Sequence, residues 1–207
     1  MTLQKALAAL QKGEPIVLYD GEEREGEADM IICGKFATPE IIERFRRDAG
    51  GLLCAAISYE NAKRASLPFF TDMLEKSGMK NISCKKTAYG DKPAFSLPVN
   101  HNNVYTGIPD KDRSLTITKI DEIIQNNPEN FGSEFYSPGH VFLLISRGIE
   151  NRRGHTELAI ELGRRSNLNG AMVLCEMLGS GRALNKDEAR DYAKKNKLVF
   201  IEGKEIF

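Results

Sequence analysis

The sequence predicts a single-domain α/β (α+β) protein, and three observations carry that expectation. Apolar residues make up 41% of the 207-residue chain and charged residues 28%, an ordinary globular mix with enough material for a sizeable core. The apolar segments are interrupted regularly by turn and capping signals, with no repeat, low-complexity tract or Pro/Gly/Ser linker. Segments of helical spacing alternate with short apolar runs of strand type. Net charge is zero, 29 basic against 29 acidic residues, which argues against a nucleic-acid partner. No run reaches the ~20 apolar residues that span a bilayer. The N-terminus lacks the build of a secretory signal, so a cytoplasmic location and no membrane partner are expected. Cys33, Cys54, Cys84 and Cys175 form no CxxC pair and read as reduced thiols.

The elements follow in order. "TLQKALAAL" puts Leu3, Ala6, Leu7 and Leu10 on one helical face, with Thr2 as N-cap and Gly13 and Pro15 as stop signals. "IVLY" and "DMIIC" are strands on either side of an acidic run. In "TPEIIERFRRDAGG", Thr38 caps a helix, Pro39 takes its first turn and Gly50 ends it. "LLCAAIS" is a buried strand and "YENAKRASL" a short helix stopped by Pro68. Residues 69–92 read as irregular. "AFSLPVNH" is a strand whose Pro98 suggests an edge, and "ITKIDEIIQNN" a helix. "HVFLLIS" and "AMVLCEML" are strands flanking the helix "HTELAIELGRRSNL". Asn185 and Glu188 are spaced as a capping box before "ARDYAKKN", and "LVFI" closes as a strand.

Four places could carry chemistry. The run "DGEEREGEADM" crowds six acids around Arg24. Continued into the next strand, it would put Glu25, Glu27 and Asp29 on one face, about 7 Å apart, where they could serve a metal and a polyhydroxylated ligand separately. A solvated acidic turn is the plainer reading. In "NRRGHTELAI", Arg152, Arg153 and Gly154 lead into His155 and Thr156 at a helix start, an arrangement suited to phosphate. A capped helix with exposed arginines explains it equally well. His140 in "SPGHVFLL" stands at the mouth of a strand, where an imidazole could transfer protons or be merely structural. Glu176 ends the buried run "AMVLCE", where lost solvation would raise its pKa unless the chain emerges into water there. Cys54 reads as core, His101 as a loop residue, and Asp112–Arg113 equally well as a surface turn; Thr106 could donate a hydroxyl. Acids for a divalent ion, an arginine-rich helix start, a histidine and a glutamate together suit enolisation of a small sugar phosphate. The rivals are another metal-dependent phosphosugar isomerase or lyase, and a non-catalytic cation- or anion-binding protein.

The ordered segments "YDGEEREGEADM", "RRDAGGLLC", "TGI" with a following "DR", "SPGHVFLL", "RRGHTE" and "LCEM" resemble the 3,4-dihydroxy-2-butanone 4-phosphate synthases of riboflavin biosynthesis, over nearly the whole chain. The resemblance implies an α-β-α sandwich around a mixed β-sheet, one synthase domain over 1–207 with no fused GTP cyclohydrolase II domain, and a homodimer with shared active sites. It implies conversion of D-ribulose 5-phosphate to L-3,4-dihydroxybutan-2-one 4-phosphate and formate with Mg²⁺, for which Mn²⁺ should substitute. Carried over, Glu25 and His155 would be metal ligands, and His140 and Glu176 the proton-transfer residues. Arg24, Asp29, Arg152, Arg153, Gly154, His155 and Thr156 would hold substrate, with Glu25, Glu27, Cys54, Thr106 and Glu176 lining the pocket. Two departures stand out: Pro109 follows "TGI" where relatives have Ser or Thr, and "GSG" replaces an acidic stretch after Glu176.

Overall fold

Strands buried on both faces set the layout of the computed structural model, which describes residues 2–83, 87 and 90–207. Every residue of β1 (Ile16–Tyr19), β2 (Ala28–Cys33) and β3 (Cys54–Ile57) is buried, so these strands read as continuous apolar runs rather than alternating ones. With β4 (Phe95–His101), β5 (Phe135–Ile145), β6 (Met172–Glu176) and β7 (Val199–Glu202) they form one sheet of order β4-β5-β3-β6-β2-β1-β7. The pairs β1–β7 and β3–β5 are parallel and the others antiparallel, a mixed sheet.

Helices cover both faces. On one, Ile42 of α2 (Pro39–Arg44), Ile117, Ile120 and Ile124 of α5 (Asp110–Asn126), and Ala189 and Ala193 of α8 (Lys186–Lys195) pack on Met30, Ala55, Val141 and Val173. Each of the three α5 isoleucines is fully buried, worth about 2 kcal/mol of hydrophobic stabilisation apiece. On the other face, Ala6 and Leu10 of α1 (Thr2–Gln11) and Leu158 and Leu162 of α7 (His155–Arg165) pack on Leu18, Ile31, Cys54 and Leu174. Among the described residues, α3 (Tyr59–Arg64), α4 (Phe70–Lys76) and α6 (Phe131–Glu134) are further α-helices. The α-β-α sandwich around a mixed sheet is therefore as expected, and β4 is an edge strand, consistent with Pro98.

Local signals held where they were self-contained. The Thr38 side chain accepts from the Ile41 N–H, and Asn185 and Glu188 close a reciprocal capping box. Four readings need correction. The 69–92 stretch is not wholly irregular, because α4 occupies Phe70–Lys76. The short helix α3 ends before Pro68, at a turn in which Ser66 takes a φ of 56°. His101 is a buried strand residue whose ring packs edge-on against Phe135 at 5.3 Å. Asp112 and Arg113 are no surface turn: they are buried in the first turns of α5, which starts upstream of the helical pattern at Asp110. Cys33, Cys54 and Cys175 are buried free thiols, and Cys84 lies outside the described residues.

Candidate active site

The acidic run does not extend β2. Gly26 adopts a φ of 68°, which breaks strand geometry, and residues 21–27 fold into a loop around Asp20. The buried Asp20 carboxylate accepts the N–H groups of Gly21 at 2.8 Å, Glu25 at 3.1 Å and Glu27 at 3.2 Å. The alternation expected for Glu25, Glu27 and Asp29 is thus replaced by a turn that still delivers Glu25 and Asp29 to one place.

That place is the start of α7. His155 Nδ1 lies 3.6 Å from Glu25 Oε2, and Nε2 lies 3.7 Å from Asp29 Oδ1 and 3.1 Å from the Glu27 carbonyl. Burial pushes the Asp29 carboxyl up, to about 7, with Glu176 and Glu25 adding to the push and His155 opposing it. Burial pulls the His155 imidazole down, but Asp29, Glu25 and Asp20 outweigh it and raise it to about 10. The same field that draws a proton to His155 would draw a divalent cation. Ligand atoms of Asp20, Glu25 and His155 lie within 4.8 Å of one another. Asp20 already serves three backbone N–H groups, which leaves Glu25 and His155 as the candidate ligands. Asp29 Oδ1 is buried without a hydrogen-bond partner among the described residues. The Glu25 carboxylate and the His155 imidazole fit a hard cation whose remaining ligands come from water or substrate, with the bare Asp29 oxygen left to meet a substrate hydroxyl.

The sheet register brings Glu176 alongside. Asp29 of β2 pairs with Glu176 of β6 as cross-strand neighbours. The Glu176 carboxylate accepts the Leu52 N–H at 2.7 Å, and a Cβ at Gly51 would sit 2.5 Å from Glu176 Oε2. The glycine in "AGGLLC" thus permits the backbone to seize this carboxylate. Cys54 is next along the wall; burial, then Glu176 and Asp29, hold its thiol well above its ordinary value, so it stays neutral.

Two arginines close the opposite end. Arg152 reaches the fully buried Glu157 carboxylate at 2.5 Å and Asp91 at 3.2 Å; Arg24 also pairs with Asp91, and both guanidiniums approach Glu25 at 3.5–3.8 Å. A Cβ at Gly154 would meet Arg152 Nη1 at 2.4 Å and Arg24 Nη2 at 2.8 Å, so this glycine makes room for the pair. The cleft has a volume of about 240 Å³, and Glu25, Asp29, Arg152, His155, Thr156 and Glu176 all line it. A larger cavity of about 700 Å³ beside Arg147 contains none of the sequence-expected site residues.

Three expected residues lie elsewhere. The exposed Arg153 stacks over the Phe207 ring at 4.3 Å. Thr106 and His140 are both exposed and do not line the cleft; they gather around Asn100. Asn100 Oδ1 accepts the His140 N–H at 2.8 Å, its Nδ2 lies 3.0 Å from the Tyr136 hydroxyl, and its amide packs where a Cβ of Gly107 would be. Asp112 accepts the Thr106 and Gly107 N–H groups at 3.1 and 2.9 Å, and the Pro109 carbonyl caps α5. Continued two residues along each strand, the register sets His140 two strands from Glu176, about 10 Å at the backbone. Asp20, Asp91, Asn100 and Glu157 also shape the site, and no motif in the sequence marks them as a group. Only Asp20, an acid before glycine after a buried strand, carries a local signal.

Layers and cleft together define an α/β protein whose acidic and basic side chains converge on one cleft. A family model described as 3,4-dihydroxy-2-butanone 4-phosphate synthase matches residues 4–207. Synthases of that name from Methanosarcina acetivorans and Methanothermobacter thermautotrophicus are 41% and 39% identical, over 99% of this chain and 89% and 93% of theirs. The Bacillus subtilis riboflavin biosynthesis protein RibBA is 33% identical over 99% of this chain and 48% of its own. A crystal structure of a 3,4-dihydroxy-2-butanone 4-phosphate synthase in complex with two magnesium ions matches with a TM-score of 0.81 at 26% identity, covering 99% of this chain and 94% of that one. The chain belongs to the 3,4-dihydroxy-2-butanone 4-phosphate synthase family.

Proposed function

We propose that this protein converts D-ribulose 5-phosphate to L-3,4-dihydroxybutan-2-one 4-phosphate and formate, a lyase reaction serving riboflavin biosynthesis. The observation that carries the reading is the convergence of Glu25, Asp29, Arg152, His155 and Glu176 on one cleft from three separate segments. Mg²⁺, or Mn²⁺ in its place, would be held by Glu25 and His155 and would polarise the ketone and enediol oxygens. Arg152, Arg24 and the N–H groups opening α7 at Thr156 bind the phosphate. Glu176, oriented by the Leu52 N–H, faces the carbon skeleton and moves protons with His140. Asp29, pushed up to about 7, can accept or return a proton near neutrality and orients a substrate hydroxyl. Glu27 is raised by burial and lends its carbonyl to His155. The thiol of Cys54 forms an uncharged wall. Enolisation, loss of water from carbon one, rearrangement, return of one water to carbon four and departure of that carbon as formate balance the atoms of substrate and products. Loop 20–27 would close over the site and exclude water.

A homodimer completes the reading. Tyr105, Ile108 and Tyr136 are 92%, 52% and 43% exposed around Thr106 and His140, an apolar face suited to a second copy of the chain. Through that face His140 and Thr106 serve the partner's cleft. The test is purified protein with D-ribulose 5-phosphate and Mg²⁺: formate should appear and stop on adding EDTA. Metal binding without formate release would favour a different phosphosugar isomerase.

A further inference from the structure

Asp91 sits where an anion should. Its Oδ2 is shared between Arg24 Nη1 and Arg152 Nε. The other acids around these guanidiniums have further duties: Asp20 holds three loop N–H groups, Glu157 accepts the Arg147 N–H at 2.9 Å, and Glu25 faces His155. Among the described residues, the Asp91 carboxylate makes polar contacts with the two guanidiniums alone. It is presented by a turn outside the sheet and helices, in which Asp91 N–H donates to Thr87 Oγ1 at 3.1 Å and Thr87 N–H donates to the Asp91 carbonyl at 3.1 Å.

We propose that Asp91 is an internal stand-in for the substrate's phosphate, seated on Arg24 and Arg152 until a phosphate monoester displaces it. This rests on the reading of those arginines as the phosphate site. A carboxylate offers one charge and two oxygens. A phosphate monoester near neutrality offers about −1.5 to −2 charge and three terminal oxygens, enough to engage both guanidiniums and the α7 start together. Displacement therefore favours phosphorylated ketoses, because an unphosphorylated sugar brings nothing to replace Asp91. An internal competitor lowers apparent affinity by the fraction of time the site is free. Asp91 is thus a positioning and specificity residue: it keeps the arginines aligned and raises the threshold for entry.

Titration calorimetry with inorganic phosphate at fixed ionic strength tests this on the full chain. Asp91→Asn should bind phosphate about tenfold more tightly than wild type, and Asp91→Glu should stay closer to wild type. Arg152→Ala should abolish binding in both backgrounds. Equal or weaker phosphate binding by Asp91→Asn would overturn the proposal and leave Asp91 a mere brace, as would binding that survives Arg152→Ala. Formate release by wild type is read separately, so the reaction assignment and the competitor role can fail independently. In that assay Asp91→Asn should lower KM for D-ribulose 5-phosphate, and a raised KM would contradict the competitor role.

Discussion

Two ends of the sheet's working edge contrast sharply. Around α7 the site is charged, buried and cross-braced: His155, Asp29, Asp20 and Glu157 are all buried and interlocked within one chain. Around Asn100 it is open, with Thr106, Tyr105 and His140 exposed to solvent. The first half gathers its acidic and basic groups from one chain. The second displays catalytic candidates that none of the described residues covers. Under the proposed function, the binding groups are gathered within one chain, whereas proton transfer awaits a second copy.

The largest expected effect breaks the comparison outright. His140→Ala and Glu176→Ala should each lower kcat by about 10²–10⁴ in the formate assay. Mixed and allowed to exchange subunits, the two inactive proteins should regain activity, since one face of a hybrid dimer pairs an intact His140 with an intact Glu176. Failure to recover would confine both residues to one protomer. Next in size, Glu25→Gln combined with His155→Ala should abolish Mg²⁺ binding by calorimetry, while His140→Ala should leave it intact. Retained binding in the double variant would remove the ligand assignment.

Protonation sharpens the contrast further. His155 holds its proton to about 10 in the metal-free protein against a normal value of 6.5, and coordination requires the neutral ring. Mg²⁺ affinity should therefore climb between pH 7 and 9, with proton release on binding. For stability the sign is the reverse: the raised His155 value gives metal-free protein a contribution complete below pH 6.5 and lost as pH rises through about 10. The metal-free melting temperature should fall across that window, and Mg²⁺ should restore it. A pH-independent affinity would show that the carboxylates around His155 do not govern the site. The smallest effect belongs to Asn100→Ala, which frees the His140 backbone and ring. It should cost roughly tenfold in kcat with Mg²⁺ affinity unmoved, a split a general folding defect would not produce.

Legibility followed range. Thr38, Pro39 and the Asn185–Glu188 box were readable because each cap is decided within four residues. The two-face burial of the strands was readable because "IVLY", "MIIC" and "CAAI" leave no polar face to expose. The helix α4 was hidden because Phe69 at its N-cap supplies no side-chain hydrogen bond. The strand extension through Glu25 and Glu27 failed because alternation in sequence says nothing about the left-handed φ at Gly26. In the site, Glu25, His155 and Glu176 were named from motifs. Asp20, Glu157, Asn100 and Asp91 act through partners 5 to 67 positions away, and such contacts exist only after folding. Arg153 looked equivalent to Arg152 in sequence, and only the turn before α7 separates them, sending one to the cleft and the other to Phe207.

The most direct test follows a single carbon. D-Ribulose 5-phosphate carrying ¹³C at carbon four, incubated with the protein and Mg²⁺ and read by NMR, should deliver the label to formate and leave the four-carbon phosphate unlabelled. Label retained in a five-carbon sugar, or in the four-carbon product, would contradict the cleft chemistry set out for Glu25, His155 and Glu176.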